Sequence, residues 1–409
     1  MRPVHANRRC ASLFVSIAVI LLLGACTGAT TIPGHQTRTL SAENEWLVVF
    51  YMDARDSLAA EAARVLAEIA EPDTAGSGVT VVALLGLPTE TRLYRIGGGA
   101  RDSLVRLAAD EMGLSAAGDE APLAMDDPAT LSALLSFVGR AFETQRTALV
   151  FWGAGAGYRS AAFLGAALRD HWLDLVALDT SFGACLEIAW EIHRSAAIMV
   201  ASQASVPDSG WEYEQVLRRF IGSDLSAHAL ADALVVPCRG ECAPSGHVTR
   251  SAVDLSRTAP VIVALNDFSD AVADAITNAP LRADVRAAIF HEAEGFYATP
   301  GDLSIDVADM ADVVSRTFGI GVATAAALRQ AVEQAVLINR TNGVHPRATG
   351  VSVHFIPLRG DGTAESGHDV MYVRRSGGGG SIAFVTDTTW VPVLPGGPGL
   401  LFRLFYEVL

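Results

Sequence analysis

Two apolar runs that each stop abruptly at small or polar residues constrain the fold of this chain most. Residues 149–152 read Leu-Val-Phe-Trp and are followed by alternating glycine and alanine up to Tyr158. Residues 175–178 read Leu-Val-Ala-Leu and are followed by Asp179-Thr180-Ser181. Such runs are typical of buried strands that end at the carboxyl edge of a parallel sheet. Ligands of open α/β sheets bind at that edge, so both turns are candidate site segments.

The rest of the chain alternates between strand and helix patterns. Apolar runs predict strands at residues 46–52, 79–85, 91–96 and 197–202. One helix is predicted to start after Ser57, which would be its cap, and a second to start after Asp127. A third helix is predicted to span residues 184–194. This alternation indicates βαβ units and a mainly parallel sheet. After Trp211 the periodicity is helical in residues 214–236, 258–278 and 306–338, and a last strand at 349–357 is predicted to join the sheet. The predicted fold class is α/β, a mainly parallel sheet flanked by helices, with a more helical C-terminal half.

The amino terminus has the pattern of a bacterial lipoprotein signal. Three arginines (Arg2, Arg8 and Arg9) precede an apolar stretch that ends in Leu23-Gly24-Ala25-Cys26. This ending resembles the lipobox, in which cleavage leaves the cysteine as an acylated first residue; the alternative is an ordinary signal peptide cut nearby. We therefore expect a signal peptide at 1–25, a flexible lipid-anchored tether at 26–44, a main domain at 45–395 and an apolar tail at 396–409. Lipidated Cys26 would anchor the protein to a bacterial membrane on the extracytoplasmic side of the cell envelope.

The other cysteines and the net charge limit which partners we expect for the chain. Cys238 and Cys242, separated by Arg-Gly-Glu, predict a local disulfide in an oxidising compartment. His247 makes a metal site the alternative, but only three ligands are visible, so no metal is expected. The formal net charge is −15 without basic clusters, which argues against nucleic acid as a partner.

Several motifs, in order along the chain, resemble the clostripain family of caspase-like cysteine peptidases. Residues 149–158 resemble the family's Trp-x-His-Gly-x-Gly segment, and residues 179–181 resemble its Asp-Ala-Cys segment. Six further segments resemble other motifs of the family, in the same order: residues 46–58, 125–131, 200–203, 210–213, 251–255 and 349–357. The resemblance covers most of residues 45–395 and implies a caspase/clostripain-like fold.

The resemblance also implies that the catalytic dyad is missing. In the family, a histidine at the end of one strand deprotonates a cysteine at the end of its neighbour. Here Ala154 stands at the histidine position and Ser181 at the cysteine position. A serine hydroxyl is far less acidic than a thiol and depends more heavily on its base, so the two replacements compound each other. We therefore predict a catalytically inactive peptidase homologue with a binding or scaffold role and no cofactor.

Recognition of a cationic side chain is a separate expectation. The resemblance places Asp179, two residues before the family's cysteine, in an acidic pocket for arginine or lysine, and Asp208 is a candidate second carboxylate. The implied partner is a peptide or protein that bears arginine or lysine. An aspartate that only caps a turn at a strand end is the alternative.

The competing hypothesis is an active endopeptidase that cleaves after arginine or lysine through a rebuilt nucleophile, Ser181 or Cys185. Cys185 is expected one turn down the helix after Ser181, as a small buried side chain. None of the nearest histidines is a convincing base: His171 is expected at the opposite end of the sheet, His193 in solvent and His354 within a strand. The turn at Ser181 also lacks the Gly-x-Ser-x-Gly pattern of serine hydrolases, and the chain has no calcium-binding loop pattern.

Overall fold

The structure, a computed structural model, describes residues 45–55, 57–97, 104–107, 122–153, 157–235, 249–276, 278–297, 303–341, 343–356, 382–391 and 399–405. The strands are β1 (Trp46–Asp53), β2 (Val79–Gly86), β3 (Thr91–Ile96), β4 (Leu104–Leu107), β5 (Arg146–Gly153), β6 (Leu173–Asp179), β7 (Ala196–Ala201), β8 (Thr249–Asp254), β9 (Gly295–Tyr297), β10 (Leu303–Asp306), β11 (Val336–Thr341) and β12 (Ser352–Phe355). The helices are α1 (Ala59–Ala70), α2 (Pro128–Ala141), α3 (Ala161–Leu168), α4 (Leu186–Ile192), α5 (Tyr213–Ile221), α6 (Ala227–Val235), α7 (Thr258–Ala275), α8 (Ala279–Glu292), α9 (Val307–Phe318), α10 (Val322–Ala335), α11 (Ala383–Asp387) and α12 (Leu400–Phe405).

A nine-stranded sheet of the described residues forms the centre of the fold, in the order β11-β8-β7-β6-β5-β1-β2-β3-β4. The five strands from β7 to β2 run parallel, and antiparallel strands extend the sheet on both sides. The register pairs Asp53 with Gly153 and Trp152 with Asp179, so β1, β5 and β6 end side by side. The prediction of an α/β fold with a mainly parallel sheet and a more helical C-terminal half is confirmed.

Two apolar layers cover the faces of this sheet. In β1, Leu47, Val49 and Tyr51 pack into the layer that holds α2, α3, α4 and α7, since successive side chains of a strand point to opposite faces. Trp46, Val48, Phe50 and Met52 pack into the layer that holds α1, α5 and α6. Burial on both faces explains why these strands read as continuous apolar runs.

The last predicted strand does not join the main sheet, so that prediction was wrong. β12 pairs instead with β10, in a three-stranded antiparallel sheet of order β12-β10-β9. Its contact with the segment before α4 is a single bridge, in which the Ser352 N–H donates to the Ala184 carbonyl at 2.9 Å. All four residues of β12 are buried, and a buried run does not specify which strand it pairs with.

Two helix predictions also need correction, and one helix was missed. The predicted cap Ser57 precedes the N-cap of α1, which is Leu58 and makes no side-chain capping bond. The helix expected from residue 184 begins at Leu186, because Cys185 at its N-cap has an extended backbone. The helix α8 was missed, although Asn278 caps it by accepting from the Leu281 N–H at 2.9 Å and Pro280 lies in its first turn.

A buried polar network ties the main sheet to the C-terminal half. The Asp306 carboxylate is fully buried; it caps α9 by accepting from the Ala308 and Asp309 N–H groups. It also accepts from the Gln203 Nε2 at 3.0 Å and from the backbone N–H and hydroxyl of Thr349. Burial raises the pKa of Asp306 to about 6, against these hydrogen bonds, which favour the charged form. The network fixes the loop after β7 relative to β10.

Some expectations lie outside the described residues. These are the signal peptide and tether at 1–44 with Cys26, the pair Cys238 and Cys242 with His247, and Ala154. Within the predicted tail, α12 packs against α7 and α8 and buries Leu400, Leu401 and Leu404. Among the helices of the described residues, none combines the length and apolar character needed to cross a bilayer.

We expect Asp306→Asn to lower the free energy of unfolding by about 2–4 kcal/mol at pH 7. An asparagine can still cap α9, but its amide NH₂ would face Gln203 or Thr349, which both donate. Asp254→Asn is the matched control, because Asp254 caps the turn at Leu255–Arg257 through an exposed bond to the Ser256 N–H and should lose less than about 0.5 kcal/mol. Urea unfolding measures both losses, and equal losses would contradict a central role for the network.

Candidate functional site

The carboxyl ends of β5 and β6 open into a cavity of about 310 Å³. Its lining residues come from four segments: Ser57 and Leu58 after β1, Trp152 and Gly153 at the end of β5, Asp179, Thr180 and Ser181 at the end of β6, and Val206, Pro207 and Asp208 after β7. Both predicted pocket residues, Asp179 and Asp208, therefore line one cavity together with Ser181. Ala154, which the resemblance aligns with the family's histidine, directly follows Gly153 and lies outside the described residues.

Asp179 is the most deeply buried charged group of this cavity. Its side chain is 3% exposed, and its Oδ2 accepts from the Tyr213 hydroxyl at 2.6 Å and from the Trp211 N–H at 2.9 Å. Its Oδ1 is buried and has no hydrogen-bond partner among the described residues. Burial raises the pKa of Asp179 to about 6, although both hydrogen bonds favour the charged form. The carboxylate is thus half satisfied: Oδ2 has two donors, and Oδ1 has none among the described residues.

Gly210 allows the segment 210–213 to close over this carboxylate. Its φ is +66°, a left-handed conformation that side chains rarely adopt. A Cβ at this position would lie 2.5 Å from the Asp179 Oδ2 and 2.6 Å from the Trp152 Nε1. The glycine that begins the predicted Gly-Trp-x-Tyr landmark is therefore required by close packing at the pocket.

An internal cation behind the pocket was missed by sequence reasoning. Arg250, on β8, is 6% exposed, and its guanidinium lies 5.1 Å from the ring centroid of Trp211. The hydrogen bonds from Tyr213 and Trp211 lower the pKa of Asp179 most, and the positive charge of Arg250 lowers it by a smaller amount. The approach of residues so distant in sequence leaves no local sequence signal.

A second group that sequence reasoning missed lies at the end of β1, beside Gly153. Arg55 donates to both carboxylate oxygens of Asp53, at 2.8 and 2.9 Å, and to the Asp126 Oδ1 at 2.9 Å. The hydrogen bond to Asp53 raises the pKa of Arg55 above its ordinary value. Arg55 is therefore satisfied within the chain by two carboxylates.

Ser181 is held by the backbone rather than by a base. Its Oγ accepts from the Val206 N–H at 2.9 Å, and no histidine of the described ranges hydrogen-bonds to it. Phe182, the next residue, has φ +62°, which is unusual for a bulky side chain. The hydroxyl therefore has a structural partner, and the described residues supply no histidine that hydrogen-bonds to it as a base.

Cys185 is not placed as a nucleophile. It is 1% exposed and free, and it lies at the N-cap of α4, so it does not lie one helical turn beyond Ser181 as predicted. Burial raises the pKa of its thiol well above the ordinary value, and the charge of Glu187 raises it further. A buried thiol that stays protonated is a poor nucleophile.

The three histidines considered from the sequence lie in different places. His171 lies before β6, at the end of the sheet opposite the cavity, with its Nε2 3.0 Å from the Ser132 Oγ. His193 is half-buried at the end of α4 and stacks on Trp190 with the ring centroids 4.3 Å apart. His354 is 1% exposed within β12, with its ring centroid 4.4 Å from that of Tyr158. Within the described part of the chain, no group of three or more histidine, cysteine or acidic side chains could hold a metal ion.

We expect the stability of the protein to depend on pH through Asp179. Its folded pKa of about 6 lies above the ordinary 3.8, so the folded state binds the extra proton between these values. Its contribution to stability is therefore complete below pH about 4 and falls as the pH rises through about 6, by on the order of 3 kcal/mol.

Urea unfolding of Asp179→Asn between pH 4 and 7 tests this linkage. The stability of the variant relative to the wild type should rise over that range, since asparagine does not titrate. Tyr213→Phe removes a donor that favours the charged form of Asp179, so the folded-state pKa of Asp179 should rise further. The fall in stability of this variant with pH should therefore extend to higher pH than in the wild type. If the difference in free energy of unfolding between wild type and Asp179→Asn does not change with pH, the raised pKa of Asp179 would be contradicted.

Comparisons with known proteins agree with the motifs and the topology. The sequence model of the clostripain family matches residues 161–341. No curated protein sequence matches the chain. Among solved structures, an inactive zymogen C11 protease from Parabacteroides distasonis superposes with a TM-score of 0.61 at 14% identity, over 84% of this chain and 97% of that chain. A secreted C11 cysteine protease from Bacteroides thetaiotaomicron superposes with a TM-score of 0.61 at 12% identity, over 84% of this chain and 99% of that chain.

At these identities the structural matches establish the fold, and the sequence model independently recovers the family that the motifs predicted. The predicted caspase/clostripain-like fold and the predicted resemblance are both confirmed. The chain is similar to the clostripain-family peptidases in sequence over residues 161–341 and in its fold.

Proposed function

We propose that this protein is a catalytically inactive clostripain-like protein that binds an arginine or lysine side chain of a peptide or protein partner. The observation that carries the proposal is the half-satisfied carboxylate of Asp179 in the cavity at the end of β6. A buried carboxylate oxygen without a partner is costly unless a donor reaches it. A guanidinium or ammonium group supplies such a donor together with the opposite charge.

The shape and charge of the cavity support a cationic side chain as the ligand. Asp208 contributes a second carboxylate to the lining, and Leu58, Trp152, Val206 and Pro207 contribute apolar surface. Arginine and lysine carry an apolar stem below a charged end group, and this combination of lining residues suits both parts.

The absence of peptidase activity is supported by the two residues at the dyad positions. Ala154 has no proton-accepting side chain, and the Ser181 hydroxyl is engaged by the Val206 N–H. In hydrolases that depend on such a pair, loss of one partner already lowers the rate by many thousand-fold. The competing use of Cys185 is disfavoured by its burial and raised pKa.

We further propose an extracytoplasmic location with a lipid anchor at Cys26. Support comes from the apolar segment that ends in Leu-Gly-Ala-Cys, and from the similar fold of a protein that is itself secreted in Bacteroides thetaiotaomicron. Metabolic labelling with an azido-palmitate analogue should mark the protein, and Cys26→Ala should abolish the label. An equally labelled Cys26→Ala protein would contradict the anchor.

Calorimetric titration of the purified protein with N-acetyl-arginine amide at pH 7 tests the binding proposal. Wild type should bind, and Asp179→Asn should weaken binding by about 10- to 100-fold, as expected for a charge-assisted hydrogen bond. N-acetyl-citrulline amide is the matched control ligand, because it keeps the shape but carries no charge. Equal affinity for the two ligands would contradict recognition of a cation.

Fluorogenic peptides with arginine or lysine before the reporter test the catalytic half of the proposal. Wild type should release no reporter, whereas the double variant Ala154→His, Ser181→Cys should cleave both peptides, because it restores the base and the thiol. Cleavage by wild type that is lost in Ser181→Ala or Cys185→Ala would contradict the proposal and indicate a rebuilt catalytic site.

A further inference from the structure

The segment after β6 and the segment after β7 are paired by a short backbone ladder beyond the ends of the two strands. The Phe182 N–H donates to the Ala204 carbonyl at 3.1 Å, and the Ala184 N–H donates to the Ser202 carbonyl at 2.9 Å. The next contact uses a side chain: the Ser181 Oγ accepts from the Val206 N–H at 2.9 Å. The serine thus extends the ladder by one position, toward the cavity.

The residues held by this contact form one wall of the pocket. Val206, Pro207 and Asp208 line the cavity. Among the described residues, the contact with Ser181 is the only hydrogen bond that ties the backbone of residues 205–208 to the end of β6. The far end of the wall is held by the Gly210 N–H, which donates to the Pro207 carbonyl at 2.8 Å, and Ser181 holds its near end, at Val206.

The other side of the contact is closely packed. Phe182 packs with Ala204, Phe296 and Ala348 in a separate apolar cluster. Its backbone has φ +62°, and a Cβ on Gly157 would lie 3.1 Å from both its Cβ and its carbonyl oxygen. Ser181 therefore projects its hydroxyl from a turn whose next residue is closely packed.

The identity of the side chain matters to this contact. A hydroxyl oxygen is a good hydrogen-bond acceptor, whereas a thiol sulfur is a weak one. The residue type that abolishes thiol chemistry at this position is also the one that accepts the Val206 N–H well. The alternative acceptor for this N–H is water, which would leave the wall less constrained.

We propose that Ser181 is a positioning residue that fixes the Val206–Asp208 wall of the cavity for ligand binding, so that the position of the family's nucleophile has acquired a structural role in recognition. The ligand-binding part of this inference rests on the proposed function. The hydrogen bond and its effect on the wall do not.

Hydrogen–deuterium exchange of the Val206 amide in the ligand-free full chain tests the inference directly, with fragmentation in the mass spectrometer to resolve that residue. Ser181→Ala should speed exchange at Val206 by about 3- to 10-fold, the range expected for loss of one hydrogen bond. Ser181→Thr keeps the hydroxyl and should exchange like the wild type, and Ser181→Cys should lie between them. Ser132→Ala is the matched control, since it removes a hydroxyl contact to His171 at the opposite end of the sheet.

The affinity for N-acetyl-arginine amide supplies the functional readout. Ser181→Ala should raise the Kd by about 3- to 10-fold, Ser181→Thr should restore it, and Ser132→Ala should leave it unchanged. Unchanged exchange at Val206 in Ser181→Ala, faster exchange without a change in Kd, or failure of threonine to restore both would overturn the inference. If Ser181→Ala does not fold, the comparison of Ser181→Cys with Ser181→Thr decides by the same two readouts.

The two proposals fail in different ways. Lack of any binding by the wild type would overturn the proposed function. The exchange rate of Val206 in the ligand-free variants would still decide whether Ser181 holds the wall.

Discussion

The architecture of the pocket depends on one buried carboxylate, that of Asp179. It terminates β6, and its Oδ2 binds the Trp211 N–H and the Tyr213 hydroxyl, which draws the segment after β7 across the end of the sheet. Gly210 makes that approach sterically possible, and Arg250 behind Trp211 offsets part of the charge. The remaining oxygen, Oδ1, has no hydrogen-bond partner among the described residues, and the proposed function assigns it to a ligand. A charge in this position lowers stability above its pKa, and such a cost is typical of functional sites.

The framework around this carboxylate is held by contacts that do not require catalytic residues. Asp306 and Gln203 join the loop after β7 to the C-terminal half, and the two apolar layers fix the central strands. This explains in physical terms how the clostripain-like fold can form with alanine at position 154 and serine at position 181. The fold and the peptidase chemistry are separable, because the stabilising contacts and the reacting atoms belong to different residues.

The sequence was informative where structure is local or where runs are long. Buried parallel strands are recognisable as continuous apolar runs. The abrupt ends of these runs correctly predicted that Asp179 and Ser181 lie at one edge of the sheet. Contacts between distant segments were not predictable: the bond between Ser181 and Val206, the approach of Arg250 to Trp211 and the pairing of β12 with β10 each join residues that no periodicity relates. The helix α8 carried a local signal that was not used, at Asn278 and Pro280.

The central claim is that the Asp179 Oδ1 receives a cationic side chain, and a crystal structure of the protein soaked with N-acetyl-arginine amide tests it most directly. The account predicts the guanidinium in the cavity at the ends of β5 and β6, with a nitrogen about 2.7–3.2 Å from Oδ1. A guanidinium bound elsewhere, with Oδ1 still lacking a ligand donor, would contradict it.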